Sequence, residues 1–353
     1  MMKIHLLGGF LGSGKTTAIQ YASRSLLQQG IKTGIITNDQ GITLVDGDFF
    51  NSLNVPGRQV INGCFCCNYD ALEANIQSLV ETDKTEIIFA ESVGSCTDIV
   101  ATVLKPLLHF RPATQITFSV FTDVRLLQMI LKGGTNLFDE TVNYIYLRQL
   151  EEAGIIVINK IDLINKEQLA EIKNLLQEKY GNKILLYQNS LEEENIEHWL
   201  HTLNDYQSAD ALESLSIDYD KYAAGEAKLA WLDQEVEIYS ANNSALQQAE
   251  DLINAIYKKI KFDQYAIGHL KFLINGVIKI SFTTNTQEVA TIKIELSALA
   301  AILINIRVQT SPEIIQQLIE AAVKEIEIQS GCKIIVNSVS AFQPGYPRPT
   351  YRL

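Results

Sequence analysis

From its start to about Asn204 the chain alternates short apolar runs with longer amphipathic stretches, and this alternation restricts its fold more than any other feature. The runs are Lys3–Gly8, Thr33–Thr37, Glu86–Ala90, Thr114–Phe121, Ile155–Asn159 and Lys183–Tyr187. Several are almost wholly apolar, as strands of a parallel sheet covered on both faces must be. Helical periodicity fills Thr16–Gln29, Asn68–Val80, Asp98–Phe110 and Lys166–Tyr180. The pattern predicts an α/β fold, a doubly wound and mostly parallel sheet over residues 1–204. Open sheets of this kind bind ligands beyond the carboxyl ends of their strands, where every motif described below falls.

A chain of 353 residues exceeds what one core usually serves, so a second domain is expected. Residues 205–228, rich in Ser, Asp, Ala and Tyr, read as a linker. Residues 229–353 read as a smaller α+β domain that docks a client or partner. It has a strand at Trp231–Ser240, a helix at Ala245–Lys259, roughly three or four strands between Gly268 and Val308, a helix at Pro312–Gln329 and a strand at Cys332–Val339. The Asn275-Gly276 pair signals a tight turn and hence antiparallel pairing. The proline-rich tail after Phe342 reads as extended surface chain.

The formal net charge is -12 and Lys and Arg form no stripe, which argues against a nucleic-acid partner. No run approaches the roughly 20 apolar residues of a membrane span, and the apolar start runs straight into glycines and Lys15, unlike a signal peptide. A cytoplasmic protein is expected, with oligomerisation left open. Five cysteines, three of them crowded at Cys64, Cys66 and Cys67, point to thiol or metal chemistry rather than a disulfide framework.

Gly9 to Thr16 reads GFLGSGKT and fits GxxxxGK[ST] between a strand and a helix, the context in which that motif binds phosphate. Gly9, Gly12 and Gly14 let backbone N–H groups approach phosphate oxygens where a Cβ would intrude. Lys15 supplies charge to the β and γ phosphates, the Thr16 hydroxyl is a Mg²⁺ ligand, and the helix N-terminus adds partial positive charge. The plainer alternative, a glycine-rich turn that merely joins strand to helix, does not call for Lys and Thr in this register.

Asn159-Lys160-Ile161-Asp162 follows the strand at Ile155. A carboxylate at Asp162 accepts from both the ring N–H and the exocyclic amine of guanine, whereas adenine offers it an acceptor, so GTP and GDP are the expected ligands. Asn159 can bridge to the base or brace the loop, and the Lys160 stem can lie over the ring. Asp162 and Asn165 as ordinary helix caps are the competing reading. The loop Gln188-Asn189-Ser190 is a candidate for a backbone contact to the base.

Glu91-Ser92-Val93-Gly94 ends another strand. Glu91 is placed to hold a Mg-bound water or to orient the attacking water, and Gly94 to bring its N–H to the γ-phosphate and so register its loss. A strand-end carboxylate that caps the helix at Asp98 is the alternative. Cys64, Cys66 and Cys67 precede a helix that begins near Asn68. Such a loop can turn three thiolates toward one soft cation and leave a fourth position for an exchanging ligand. Thiolates favour Zn²⁺ over Mg²⁺, with Co²⁺ and Cu(I) as further candidates. Small core residues, a redox pair and a structural zinc are the competing readings. Cys96 is an added ligand or a packed thiol, His198 and His201 read as surface residues, and Cys332 as core.

These motifs together resemble the GTPase family named for a glutamate in its third guanine-nucleotide motif, and within it the CobW-like branch. The residues that carry the likeness are Gly8–Thr17 (GGFLGSGKTT), Asn38–Gly41 (NDQG) with Asp46 beyond, Gly63–Cys67 (GCFCC), Glu91–Gly94 (ESVG) and Gln149–Leu163 (QLEEAGIIVINKIDL). The resemblance implies a P-loop fold, and it adds Ser13 and Thr17 to the phosphate-binding residues. It makes Asn38–Asp48 the first switch, so that Asp39 and Asp46 are candidates for Mg²⁺ or for linking nucleotide to metal, with Lys15, Glu91 and Asp46 as the catalytic set. Where the family more often has glutamate followed by an aromatic residue, this chain has Asp39-Gln40. The resemblance also makes the cysteine loop a metal motif lying between the switches. Five scattered histidines, in place of the histidine-rich stretch many members carry, suit a deliverer or sensor better than a store.

The resulting expectation is a Mg²⁺-dependent GTPase that couples hydrolysis to transfer of Zn²⁺ or Co²⁺ to a client metalloprotein. Two alternatives are a metal-gated guanine-nucleotide module with little turnover and a corrinoid-linked GTPase.

Overall fold

The computed structural model describes residues 2–40, 45, 55–61, 63–133, 137–206, 209–293 and 295–353. They form two compact units, one of residues 1–40, 53–225 and 346–353, the other of residues 41–52 and 226–345. Asp46 and most of the expected first switch lie outside the described residues.

In the first unit, β1 (Lys3–Gly9), β2 (Thr33–Asn38), β3 (Gly57–Val60), β4 (Ile87–Glu91), β5 (Gln115–Asp123), β6 (Ile155–Asn159) and β7 (Ile184–Gln188) make a seven-stranded sheet in the order β3-β2-β4-β1-β5-β6-β7. Every adjacent pair is parallel. The apolar strands β1, β4, β5 and β6 hold the centre, with Ile4, Ile88, Phe118 and Val157 among their fully buried side chains. The register sets Leu7 and Thr37 beside Glu91, Gly9 beside Phe121, and Asn159 between Asp123 and Gln188. One edge of the sheet thereby gathers the carboxyl ends that carry the nucleotide motifs.

β3 has no counterpart among the expected strands. Its sequence, GRQV, is short, lies at the edge of the sheet and buries only Val60, so it lacks the apolar run that marks central strands. The helix expected at Asp98–Phe110 opens as a π-helix over Val100–Leu104 and becomes α-helical over Lys105–Phe110. Pro106 has no N–H for the carbonyl four residues back, and the wider turn lies just before it.

The second unit is a five-stranded antiparallel sheet of β8 (Ala230–Tyr239), β9 (Ile267–Ile274), β10 (Ile278–Phe282), β11 (Leu299–Val308) and β12 (Lys333–Phe342). The strand order is β10-β9-β11-β8-β12. Asn275 and Gly276, both at positive φ, turn β9 into β10. Helices Ala245–Phe262 and Pro312–Ser330 contribute Leu252, Ile256, Ile315 and Ile319 to one core with Leu270, Ile304 and Ile306. The same unit holds Val45, whose N–H donates to Asn305 Oδ1 at 2.9 Å and whose side chain packs with Leu273 and Leu303. Arg307 is fully buried, 2.8 Å from Asp233 and 3.9 Å from the centre of the Trp231 ring.

Two stretches fall differently in these units from the expected division. The stretch read as a linker, residues 205–228, contains the helix Tyr219–Ala227 and belongs to the first unit up to Gly225. Tyr222 is buried there, and a Cβ on Gly225 would lie 2.5 Å from the Thr141 carbonyl oxygen, so close packing rather than periodicity anchors the segment. The tail assigned to the second domain also returns: residues 346–353 belong to the first unit.

Candidate functional site: a phosphate loop and a thiol loop

Between β1 and the helix Lys15–Gln28 the backbone turns through Gly9, Gly12 and Gly14 at φ of 120°, 73° and 94°. A Cβ on Gly9 would fall 2.1 Å from the Phe121 carbonyl oxygen, and one on Gly14 2.3 Å from Asn159 Nδ2, so only glycine allows this cradle. Lys15 is buried and donates to the carbonyl of Gly9 at 2.7 Å, with Glu91 at 4.0 Å. The Thr16 hydroxyl donates to Glu91 Oε1 at 3.0 Å. Thr16 and Glu91 thus bring two oxygen donors together, a set that could hold a hard divalent cation and whose chemistry fits Mg²⁺. Ser13 is buried within the loop, and Thr17 follows in the first helical turn.

Asn159 braces the loop. Its Nδ2 donates to the Ser13 carbonyl at 2.9 Å, and its Oδ1 accepts from the Ser190 N–H at 3.1 Å and the Ser190 hydroxyl at 2.9 Å. Gln188 holds the Ser190 hydroxyl at 2.9 Å. Lys160, at φ 64°, reaches back to the Gly12 carbonyl at 2.6 Å and to Asp123 at 3.0 Å. The left-handed backbone is a cost for lysine, and these contacts hold it. Asp162 stands exposed beyond them, open to a ligand that enters from solvent. Asp123 had no place among the expected site residues, though an aspartate at the end of a strand and ahead of a helix signals a cap. It accepts from the Arg125 N–H at 2.9 Å. Burial raises the Asp123 pKa, but Arg125 and Lys160 outweigh burial and hold the carboxyl below its usual range.

The loop after Glu91 lies directly on the phosphate loop, since a Cβ on Gly94 would lie 2.9 Å from the Leu11 nitrogen. Gln149 Nε2 fixes it by donating to the carbonyls of Gly94 at 3.0 Å and Cys96 at 2.7 Å. Beyond it Asp98 adopts φ 65° and accepts from the Tyr219 hydroxyl at 2.6 Å.

The three sulfurs of Cys64, Cys66 and Cys67 lie within 4.8 Å of one another, the one such potential metal-binding group found among the described residues. The donors are Cys64 and Cys66, both buried, and Cys67, half-buried. Asn38, at the end of β2, builds this loop. Its Nδ2 donates to the carbonyls of Val60 at 3.0 Å and Gly63 at 2.8 Å, while its Oδ1 accepts from the Phe65 N–H at 2.8 Å. Its neighbour Thr37 pairs with Glu91, so one strand end adjoins both the thiol loop and the Thr16–Glu91 hydrogen bond. Asp39, next in sequence, donates its N–H to the Val60 carbonyl at 3.2 Å. Hydrogen bonds from Cys66 and Cys67, then from Cys96, hold the Cys64 thiol well below its usual pKa. The same Cys64 pushes Cys66 up, and Cys67 up to about 11. Cys64 is thus the thiol of the three that gives up its proton most readily, and a soft cation would displace the remaining protons. His198 and His201 are exposed, and Cys332 is buried in the core of the second unit.

Residues 3–186 match the family described as CobW/HypB/UreG, nucleotide-binding domain. The chain belongs to this family. Its curated relatives include the zinc chaperone YeiR of Escherichia coli (strain K12), 25% identical over 189 residues, which are 53% of this chain and 55% of YeiR. The zinc chaperone YjiA of the same organism is 34% identical over 96 residues, 27% of this chain and 30% of YjiA. The chain thus spans about half or less of the length of these two relatives. The resemblance to the CobW-like branch stands on this footing. Among solved structures, HypB from Helicobacter pylori in complex with nickel aligns with a TM-score of 0.45 at 17% identity, over 61% of this chain and 92% of that one. No helix among the described residues is long and apolar enough to cross a membrane.

Proposed function

We propose that this protein binds and hydrolyses GTP with Mg²⁺ and uses the cycle to load and release a thiophilic divalent cation, Zn²⁺ first and Co²⁺ second, for a client protein. The observation that carries the reading is the shared support of the two loops: Asn38 shapes the thiol loop one residue after Thr37 pairs with Glu91. The names of the curated relatives support zinc as cargo. In this reading Gly9, Gly12, Ser13, Gly14, Lys15, Thr16 and Thr17 bind phosphate, and Asn159, Lys160 and Asp162 bind guanine. Cys64, Cys66 and Cys67 hold the cargo, and Asp39 links nucleotide to metal. Mg²⁺, held by Thr16 and Glu91, would neutralise charge on the phosphates. Lys15 steadies the β and γ phosphates, while Glu91, and Asp46 from the segment outside the described residues, position the attacking water. Departure of the terminal phosphate relaxes the Gly94 loop, and Cys96 on that loop faces Cys64.

The test is metal analysis of the purified protein with GDP and with a non-hydrolysable GTP analogue, alongside steady-state GTP hydrolysis with and without Zn²⁺. Coupling predicts that bound metal differs between the nucleotide states and that Cys66→Ser abolishes the difference. Metal content indifferent to the nucleotide would sink it. Turnover too slow to measure, with coupling intact, would leave a metal-gated binding module.

A further inference from the structure

The segment Tyr346–Leu353 is the last element of the first unit and lies along the thiol loop. The Thr350 N–H donates to the Cys66 carbonyl at 2.8 Å, and the Thr350 hydroxyl to the Cys67 carbonyl at 3.2 Å. The Arg348 N–H donates to the Cys67 sulfur itself at 3.2 Å. Farther along, the Leu353 N–H donates to the Ala101 carbonyl at 2.9 Å and Arg352 Nε to Asp98 at 2.9 Å. The Tyr351 ring packs 5.2 Å from Tyr69 and 5.4 Å from Phe110. The sequence explains this shape. Pro347 and Pro349 fix φ and carry no N–H, so the chain stays extended without a strand partner. The amides left at Arg348 and Thr350 both donate to the thiol loop.

We propose that Tyr346–Leu353 is a positioning strap of the thiol centre, in which the Arg348 amide orients the Cys67 sulfur and slows the departure of a bound thiophilic cation. The proposal rests on the cysteines being a metal centre. Three observations support it. Cys67 is the least buried of the three donors and so lies on the side of the cluster nearest solvent. Its sulfur is the one the strap touches, and a backbone donor to a ligand atom fixes that ligand's orientation. The far end of the strap is anchored on Asp98, four residues beyond Gly94, so its grip is tied to the loop that lies on the phosphate cradle.

The experiment uses the full chain loaded with Co²⁺, read by its thiolate-to-cobalt absorption and by the rate of metal loss to a chromogenic chelator. Arg348→Pro removes the amide and suits an extended segment, Arg348→Ala keeps the amide, and a third variant lacks residues 346–353. Removing an outer-shell partner typically costs 10–100-fold in metal affinity, so Arg348→Pro and the truncation should lose metal at least about 10-fold faster, with an altered absorption band. Arg348→Ala should match the parent. Parental release from both Arg348→Pro and the truncated chain overturns the strap, as does an Arg348→Ala change as large as that of Arg348→Pro. A parent without any cobalt–thiolate absorption overturns the metal centre itself, and the strap with it.

Discussion

Gly14 and Asp162 make the sharpest demands of single residues. Alanine at Gly14 would meet φ 94° and the Asn159 amide together, straining the cradle and displacing its brace. Backbone strain of this kind costs about 1–3 kcal/mol, roughly 5–150-fold, before the clash is counted, so Gly14→Ala should weaken GDP binding at least about 10-fold, read by titration with a fluorescent GDP analogue. Binding within a few-fold of the parent would mean that the cradle is not the phosphate site. At Asp162 the base itself is in question. An asparagine there turns one acceptor into a donor, so Asp162→Asn should lose about 100-fold in preference for GTP and gain for xanthosine triphosphate, measured by competition. An unchanged order of nucleotides would remove the guanine assignment.

Helices and strands carry the next set of consequences. The helix Glu140–Glu152 ends in a buried carboxyl that accepts from the Thr97 hydroxyl at 3.0 Å and the Val100 N–H at 3.1 Å. Burial, with Asp98 nearby, pushes Glu152 up to about 8. The folded chain therefore keeps a proton that the unfolded chain gives up above the ordinary glutamate range. Stability falls as pH rises from about 4.5 toward 8 and levels off above it. Glu152→Gln should flatten the midpoint of the first unit's thermal transition, reported by Trp199, between about pH 5 and pH 8 relative to the parent; parallel pH profiles would refute the shifted carboxyl. At this scale the sequence was most readable where an element is central and apolar. β1, β4, β5 and β6 stand out because both faces are buried, and the cradle stands out because glycine spacing has a geometric cause. β3 did not, since an edge strand needs no apolar run. The supporting roles of Asn38 and Gln149 were also hidden, because a buried amide that stitches distant loops has no local signature. The tail showed its extended form in its prolines but not its partner, which lies far away in sequence.

As a whole molecule, the chain has two cores that need not unfold together, so a single midpoint is not a well-defined quantity. Its two tryptophans separate them, Trp199 reporting the first unit and Trp231 the second. In the second unit Arg307 is enclosed with Asp233, and Asn305 also donates to that carboxylate at 2.8 Å. Arg307→Ala in a Trp199→Phe background should lower the Trp231 urea transition by about 3–5 kcal/mol, the usual cost of breaking a buried pair from one side. The added change Asp233→Asn should recover part of the loss; a double variant no more stable than the single one would assign the cost to lost packing on Trp231.

The distance along the chain between Cys67 and the amide that meets its sulfur is 281 residues. Ribosomes add roughly 5–20 residues per second, so the thiols emerge roughly 15–55 s before Arg348 exists. For that interval the nascent loop has sulfurs and no outer-shell amide. The grip on metal that the strap provides is therefore acquired only well after the thiol loop itself has been made.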